Sequence, residues 1–523
     1  MRKIMNIIIV LDFGGQYAHL ITRRIRDLGV YAEILPFNVN IENLRKVNPR
    51  AIILSGGPSS VYEDNSPKLK QEFFTFTLEN KIPVLGICYG HHLIMYHQGG
   101  KIKSKETKEY GKAILKILDP NLLFDSLLRE EVVWMSHGDQ ITELVEGFTI
   151  YAKTDTCPIA AFGNQEKFLY GVQFHPEVSN TPKGNRILEN FIYKIAQCKK
   201  EWKLEGWIDD SIEKIKKYVG SRNKVILGLS GGVDSSVVAV LLQKAIGDRL
   251  HCIFVNNGVL RKNEESEVQE TFKSKLKFKN FHYIDAEDLF LERLKDIEDP
   301  EEKRRIIGHT FIEVFENKTI KLEQANPDIK YLAQGTIYPD RVETSATSKA
   351  SAKIKSHHNL TLPDDMMLEI IEPLKDLYKD EVRRIGVKLG VPKEIITRHP
   401  FPGPGLAVRI IGPINKDKLN ILRDADEILI DEIKKAGIYE NLWQAFCVFL
   451  PLKTVGIMGD FRTYEYICAI RVVESVDAMT ANFSKLNWEL LEKISTRIIN
   501  EVKGINRVVY DISNKPPSTI EYE

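Results

Sequence analysis

Ser230-Gly231-Gly232-Val233-Asp234-Ser235-Ser236 follows the apolar run Lys-Val-Ile-Leu-Gly-Leu and leads into Val-Val-Ala-Val-Leu-Leu. A short β-type run, a Gly/Ser/Asp turn and a helix-compatible run together make an anion cradle. The glycines let the backbone approach closely, while hydroxyls and helix-start N–H groups face the oxyanions. No lysine follows the second glycine, so this is not a G-x-x-x-x-G-K-[ST] loop.

A second constellation lies upstream. In Val84-Leu85-Gly86-Ile87-Cys88-Tyr89-Gly90-His91-His92 a cysteine stands between an apolar strand and a helix-like run. A sharp strand–turn–helix elbow exposes such a residue and aims helix N–H groups at it, which favours the thiolate. A thiolate nucleophile needs a base and an orienting group, distant in sequence and near in space. His175 and Glu177, in Gln-Phe-His-Pro-Glu just past an apolar run, supply both types at a strand end. Ser55-Gly56-Gly57-Pro58 follows another strand, so the N–H groups of Gly57 and Tyr89 are the candidate oxyanion donors. A lone cysteine in a strand is more often a small buried apolar residue. Three such segments, each at a strand end, favour chemistry.

The elements that position these residues fall into three patterns. Residues 1 to about 199 alternate β-rich runs (7–11, 51–54, 83–87, 169–174) with helix-like stretches, which predicts an α/β domain. The charged stretch 199–203 reads as a linker into an amphipathic helix at 206–219. From 224 the alternation restarts, with strands at 224–229, 250–255, 281–285 and 330–333 and helices at 234–246, 263–275 and 300–317. This predicts a doubly wound sheet with ligands at the strands' carboxyl ends. His399-Pro400-Phe401-Pro402-Gly403-Pro404-Gly405 cannot be helix. After it come helices at 417–436 and 487–503 and strands near 445–450, 454–458, 465–474 and 505–510, an α+β unit. The expected domains are therefore 1–199, 203–396 and 397–523.

A net charge of +1 gives no electrostatic reason to expect nucleic acid or a membrane surface as partner. The six cysteines show no C-x-x-C pair, which points to a reducing compartment. No apolar stretch approaches the roughly 20 residues that span a bilayer, so a cytoplasmic location is expected.

The loop at 230–236 resembles the pyrophosphate loop of the ATP pyrophosphatases, which cleave ATP to AMP and pyrophosphate while adenylylating a substrate. The Cys88, His175 and Glu177 set resembles the class I glutamine amidotransferase triad. Met135-Ser136-His137-Gly138-Asp139 stands where that family carries a substrate-facing loop, and His92 stands where it usually carries glutamine. The resemblance then widens to nearly the whole chain. Ala333 to Asp340, Ile354 to Asn359, His399 to Leu406 and Lys515 to Glu521 are similar to the glutamine-hydrolysing GMP synthase family.

That resemblance implies glutamine, ATP and xanthosine 5′-monophosphate (XMP) as substrates and Mg²⁺ as cofactor. Ser230 to Ser236 would cradle the pyrophosphate, with Asp234 the candidate for the metal. Lys355, His357 and His358 would sit on a lid, and Arg304, Lys515, Ile520 and Glu521 would hold XMP. It also implies a homodimer through the last domain. Val-Asn256-Asn-Gly departs from the family, which usually has aspartate at that place. Two rival readings are another glutamine-dependent adenylylating enzyme of the NAD synthetase type and a catalytically silent nucleotide-binding regulator.

Overall fold

The structure is a computed structural model that describes residues 6–341, 368–458, 461–475 and 480–523. Two units divide the chain, the first ending at Leu204 and the second beginning at Glu205.

In the first unit the strands are β1 (Ile7–Asp12), β2 (Tyr31–Pro36), β3 (Ala51–Leu54), β4 (Val84–Ile87), β5 (Lys101–Ile117), β6 (Glu130–Glu143), β7 (Thr149–Lys153), β8 (Ala161–Asn164) and β9 (Leu169–Val172). Their order across the sheet is β2-β1-β3-β4-β9-β8-β7-β5-β6. The strands β2, β1, β3, β4 and β9 are parallel; the others join antiparallel. β3, β4 and β9 are apolar throughout and buried, as strands covered on both faces must be. They are also neighbours, so the segments that follow them emerge side by side at one edge of the sheet.

Close approach behind β4 depends on glycine. A Cβ on Gly90 would lie 2.5 Å from the Leu54 carbonyl oxygen, and one on Gly86 would lie 2.3 Å from the Gly90 carbonyl oxygen. Gly90→Ala is therefore expected to lower the unfolding free energy by about 1–3 kcal/mol through overpacking. A shift in the urea midpoint at unchanged slope checks this.

The stretch 199–203 is no free linker. Trp202 packs on Tyr31 with ring centroids 4.9 Å apart, and the Arg26 guanidinium lies over both rings. Asn6 donates to Glu201 at 2.7 Å, so the segment is fastened to the first unit.

The second unit opens with a helix at Leu204–Val219 and then a five-stranded parallel sheet. Its strands are β10 (Lys224–Gly228), β11 (Leu250–Asn256), β12 (Phe281–Asp285), β13 (Ile329–Ala333) and β14 (Glu369–Ile371), in the order β12-β11-β10-β13-β14. The direction of winding reverses between β10 and β13, the doubly wound pattern whose crevice receives ligands. A second sheet holds β15 (Gln444–Met458), β16 (Phe461–Glu474), β17 (Asn482–Phe483) and β18 (Ile505–Tyr510), flanked by helices at Lys416–Lys435 and Trp488–Glu501. One apolar core runs from Ile226 and Leu332 through Leu406 and Ile410 to Phe449 and Val472, across both sheets.

Two expectations change. The strands expected at 445–450 and 454–458 are one strand, because Pro451 is absorbed by a register shift between Leu450 and Lys453. Met135 to Asp139 is part of β6, in place of the expected loop.

Candidate active sites

Cys88 ends β4 and caps the helix Tyr89–Gln98 with φ 53° and ψ −102°. Few side chains tolerate that region, so its occupation marks an over-determined, strained elbow. Hydrogen bonds fix it: Cys88 N donates to Val172 O at 2.9 Å and Gly90 N to Ser55 O at 3.2 Å. A methyl group built on Gly56 would stand 3.3 Å from His175 Cε1 and 3.7 Å from Cys88 Cβ, so the β3, β4 and β9 ends converge on one point. Gly57 and Tyr89, the residues that follow Gly56 and Cys88, flank it, and a Cβ built on Gly57 would stand 3.3 Å from Tyr89 Cγ.

His175 Nδ1 lies 2.7 Å from Glu177 Oε1, in a pair with 5% and 0% side-chain exposure. Tyr17 meets the imidazole edge-on at 5.1 Å, and Thr181 Oγ1 donates to the His175 carbonyl at 2.7 Å. Burial opposes the imidazolium, but the charges of Glu177 and then Cys88 outweigh it and raise the His175 pKa well above its usual value. Glu177 Oε2 is buried and accepts no hydrogen bond among the described residues. The Cys88 sulfur donates to Ser136 O at 3.5 Å, so β6 faces the elbow although it is no loop. This geometry suits a thiolate that attacks a carbonyl carbon while His175 carries its proton.

Stability should follow the same charges. A histidine whose folded pKa is raised contributes stability fully below its unfolded value near 6.5 and loses it as pH rises through the folded value. Glu177→Gln removes the partner, so its destabilisation should be largest near pH 6 and shrink at alkaline pH. Urea titrations of both proteins across that range measure the difference.

In the second unit Gly231 takes φ +77° and Gly232 caps the helix Val233–Ile246, which places Ser230 to Ser236 as a cradle at the crevice. Serine hydroxyls hold its shape: Ser230 Oγ meets Ser235 Oγ at 3.0 Å, and Ser236 Oγ donates to Gly232 O at 2.7 Å. The backbone at Gly335, past the end of β13, closes the side, since a Cβ there would lie 3.5 Å from Ser235 N. Asp234 Oδ2 is 3.3 Å from Lys379 Nζ, while its Oδ1 is buried without a partner among the described residues. Asn256, at the end of β11, donates to Asp285 at 3.1 Å and accepts from Gly258 N at 3.0 Å. Its loss of charge is thus offset by the carboxylate of the next strand.

Arg398 was not singled out from the sequence. It donates to Gly231 O at 3.3 Å and pairs with Glu264 at 2.8 Å and Glu267 at 2.9 Å, fastening the Pro/Gly crossover to the cradle. Arg383 donates to Arg398 O at 3.1 Å, and burial lowers its pKa against the pull of Asp234.

The tail residues meet a pocket of buried cations. Arg409 is fully buried and reaches Glu521 with two bonds of 3.0 and 2.9 Å. Glu521 also accepts from Gln444 at 2.6 Å, and the Ile520 carbonyl accepts from Arg471 at 3.4 Å. The guanidiniums of Arg409 and Arg261 both lie over Phe401, at 5.1 and 4.9 Å. Arg261 Nε stands 3.5 Å from Asp426 Oδ2, while Arg261 Nη2 and Arg409 Nη1 are buried without an acceptor among the described residues and are donors open to an anion. Lys515 pairs its backbone with Ala481. Arg304 is partly exposed and pairs with Glu301, whereas its neighbour Lys303 is fully buried on Glu523 and the Ile410 carbonyl. Lys355, His357 and His358 lie outside the described residues.

Family models match three stretches of the chain. Residues 9–195 match glutamine amidotransferase class-I, residues 206–304 match NAD synthase, and residues 431–522 match the GMP synthase C terminal domain. The protein is a class I amidotransferase joined to a nucleotide-binding α/β domain and an α+β domain. A GMP synthase [glutamine-hydrolyzing] of Brachyspira hyodysenteriae is 52% identical over all of both chains. Others so named, of Carboxydothermus hydrogenoformans and Thermosipho melanesiensis, are 54% and 52% identical over 99% of this chain and 99% and 100% of theirs. The chain belongs to the glutamine-hydrolysing GMP synthase family.

Proposed function

We propose that the protein releases ammonia from glutamine at Cys88 and uses ATP to install it on XMP, giving GMP, AMP and pyrophosphate. The observation that carries this is a strained nucleophile elbow with a charged His–Glu partner in one chain with a phosphate cradle at a sheet's switch point. The Cys88 thiolate attacks the carboxamide carbon of glutamine. The N–H groups of Gly57 and Tyr89 receive the oxyanion, and His175, held by Glu177, gives its proton to departing ammonia. Water then frees glutamate from the thioester. Adenylylation converts the C2 oxygen of XMP into a leaving group, and ammonia displaces AMP. The two steps in one chain raise the effective concentration of a nucleophile that is mostly protonated at neutral pH.

Among the described residues no cluster of three or more His, Cys, Asp and Glu side chains forms a metal site. The buried, unpartnered Oδ1 of Asp234 nevertheless fits Mg²⁺, which when bound beside the phosphates would offset their charge. Ser230, Gly231, Gly232, Val233, Ser235 and Ser236 take the pyrophosphate by N–H and hydroxyl groups. Lys515, Ile520 and Glu521 belong to the XMP pocket with Arg304, and Arg261 and Arg409 supply the buried donors for its anionic groups. The functional parts divide the sequence as 1–199, 203–396 and 397–523.

A second copy of the chain is the expected partner. Val455, Ile457, Phe461 and Tyr464 are exposed on the β15–β16 hairpin, an apolar surface that suits self-association. Six free, buried cysteines and no helix long and apolar enough to cross a membrane among the described residues support a cytoplasmic enzyme. Incubation with XMP, ATP, Mg²⁺ and glutamine, read by chromatography, tests the reaction. GMP with AMP and pyrophosphate is expected; ADP and orthophosphate would refute it.

A further inference from the structure

Behind the elbow, His92 Nε2 lies 2.6 Å from Gln173 Oε1. Both residues are buried, at 4% and 0% exposure. Each is tied to one member of the thiol–imidazole pair. His92 N donates to the Cys88 carbonyl at 3.2 Å, one helical turn on, and Gln173 precedes His175 by two residues. Cys88 N donates to Val172 O, which joins the two backbones directly. The links form a closed ring: Cys88 to His92 along the helix, His92 to Gln173 by the side-chain bond, Gln173 to His175 along the chain, and His175 back to Cys88.

Stability alone does not account for the pair. Gln173 Nε2 is buried without an acceptor among the described residues. Buried polar groups left unpaired weaken a fold, and where they persist in one place they mark a site kept for its geometry. Apolar residues of equal volume would pack this wall at lower cost. His92 also carries no charge to contribute. Burial, with His137 and against Asp139, holds its pKa down to about 4, so it is a neutral donor to the Gln173 oxygen at working pH.

We propose that the His92–Gln173 bond sets the spacing of Cys88 and His175, making His92 and Gln173 positioning residues for the glutaminase step. The proposal rests on the reading of Cys88 as nucleophile. Because small misplacement of a reacting pair is costly, His92→Ala should lower glutamine-dependent kcat roughly tenfold to a hundredfold with little change in KM. It should also move the pH profile of Cys88 alkylation upward, since the thiolate would lose its fixed imidazolium partner. His92→Gln keeps an N–H for the Gln173 oxygen and should restore the parent profile. Gln173→Met cuts the same bond from the other side at similar volume and should reproduce the His92→Ala shift.

The titratable groups that face this ring are Glu177, His91, His137 and Asp139, none of which is altered by these changes. Iodoacetamide labelling of Cys88, quantified by peptide mass across pH 5–10 in the full-length protein, gives the profile. A cooperative urea transition with the parent's first-unit midpoint and slope, followed by circular dichroism, reports whether each variant is folded in the unit that carries His92 and Gln173. A parent-like profile in folded His92→Ala or Gln173→Met overturns the proposal, as does failure of His92→Gln to restore what His92→Ala loses. If one severed variant does not fold, the other decides. A parent protein whose Cys88 glutamine does not protect from labelling instead sinks the nucleophile reading itself.

Discussion

Cys88→Ala should abolish glutamine-dependent GMP formation, by at least about 10³-fold, and leave ammonia-dependent formation within about twofold of the parent. The thiol stands at the point where the β3, β4 and β9 ends meet, and His175 and Glu177 act in amide hydrolysis through it. Removal of a sulfur of 7% residue exposure from a strained elbow does not disturb the cradle at 230–236, which belongs to the other unit. Initial rates with glutamine and with ammonium chloride, each at saturating XMP and ATP, measure both arms. Equal loss in the two would refute the division of labour between sites.

Asp234→Ala should remove synthesis with either nitrogen source, by about a hundredfold or more, because a cation beside the phosphates contributes several kcal/mol to charge neutralisation. The fold should hardly respond. The one ion pair lost, to a Lys379 side chain of 41% exposure, is worth at most about 1 kcal/mol once solvent screening is counted. An unchanged urea midpoint beside collapsed activity would separate the chemical role from a structural one. Unchanged ammonia-dependent synthesis would exclude Asp234 from the metal.

Local signals were legible in the sequence; long-range ones were not. The cradle sits inside one strand–turn–helix unit, so the spacing of Ser230, Gly231 and Gly232 alone was enough to predict it. Cys88 was readable for the same reason, and His175 and Glu177 because they end an apolar run. By contrast, Lys101–Ile117 carries lysines and glutamates through most of its length and is a strand by virtue of its pairing with β6 and, at its end, with β7. Its alternation is blurred by Gly111 and by a register shift, so no period of two stood out. Arg398 and Arg409 were missed because a charged residue beside a Pro/Gly-rich crossover reads as solvated surface, and Arg261 because it opens the charged run Arg261-Lys262-Asn263-Glu264-Glu265. Only the tertiary fold buries Arg409 to 0% and stacks it on Phe401 and Phe446. Lys303 shows the limit most plainly. Helical phase decides that it is buried while Arg304 stays partly exposed, and five consecutive charged residues, Glu301 to Arg305, give no apolar stripe from which to read that phase.

The left-handed backbone at Cys88 has an evolutionary corollary. Glycine occupies that conformation without penalty, so Cys88→Gly relaxes the turn even as it destroys amide hydrolysis. A lineage fed with free ammonium would therefore gain robustness by discarding its sulfur. Persistence of the strained side chain is a running record of selection for nitrogen taken from an amide.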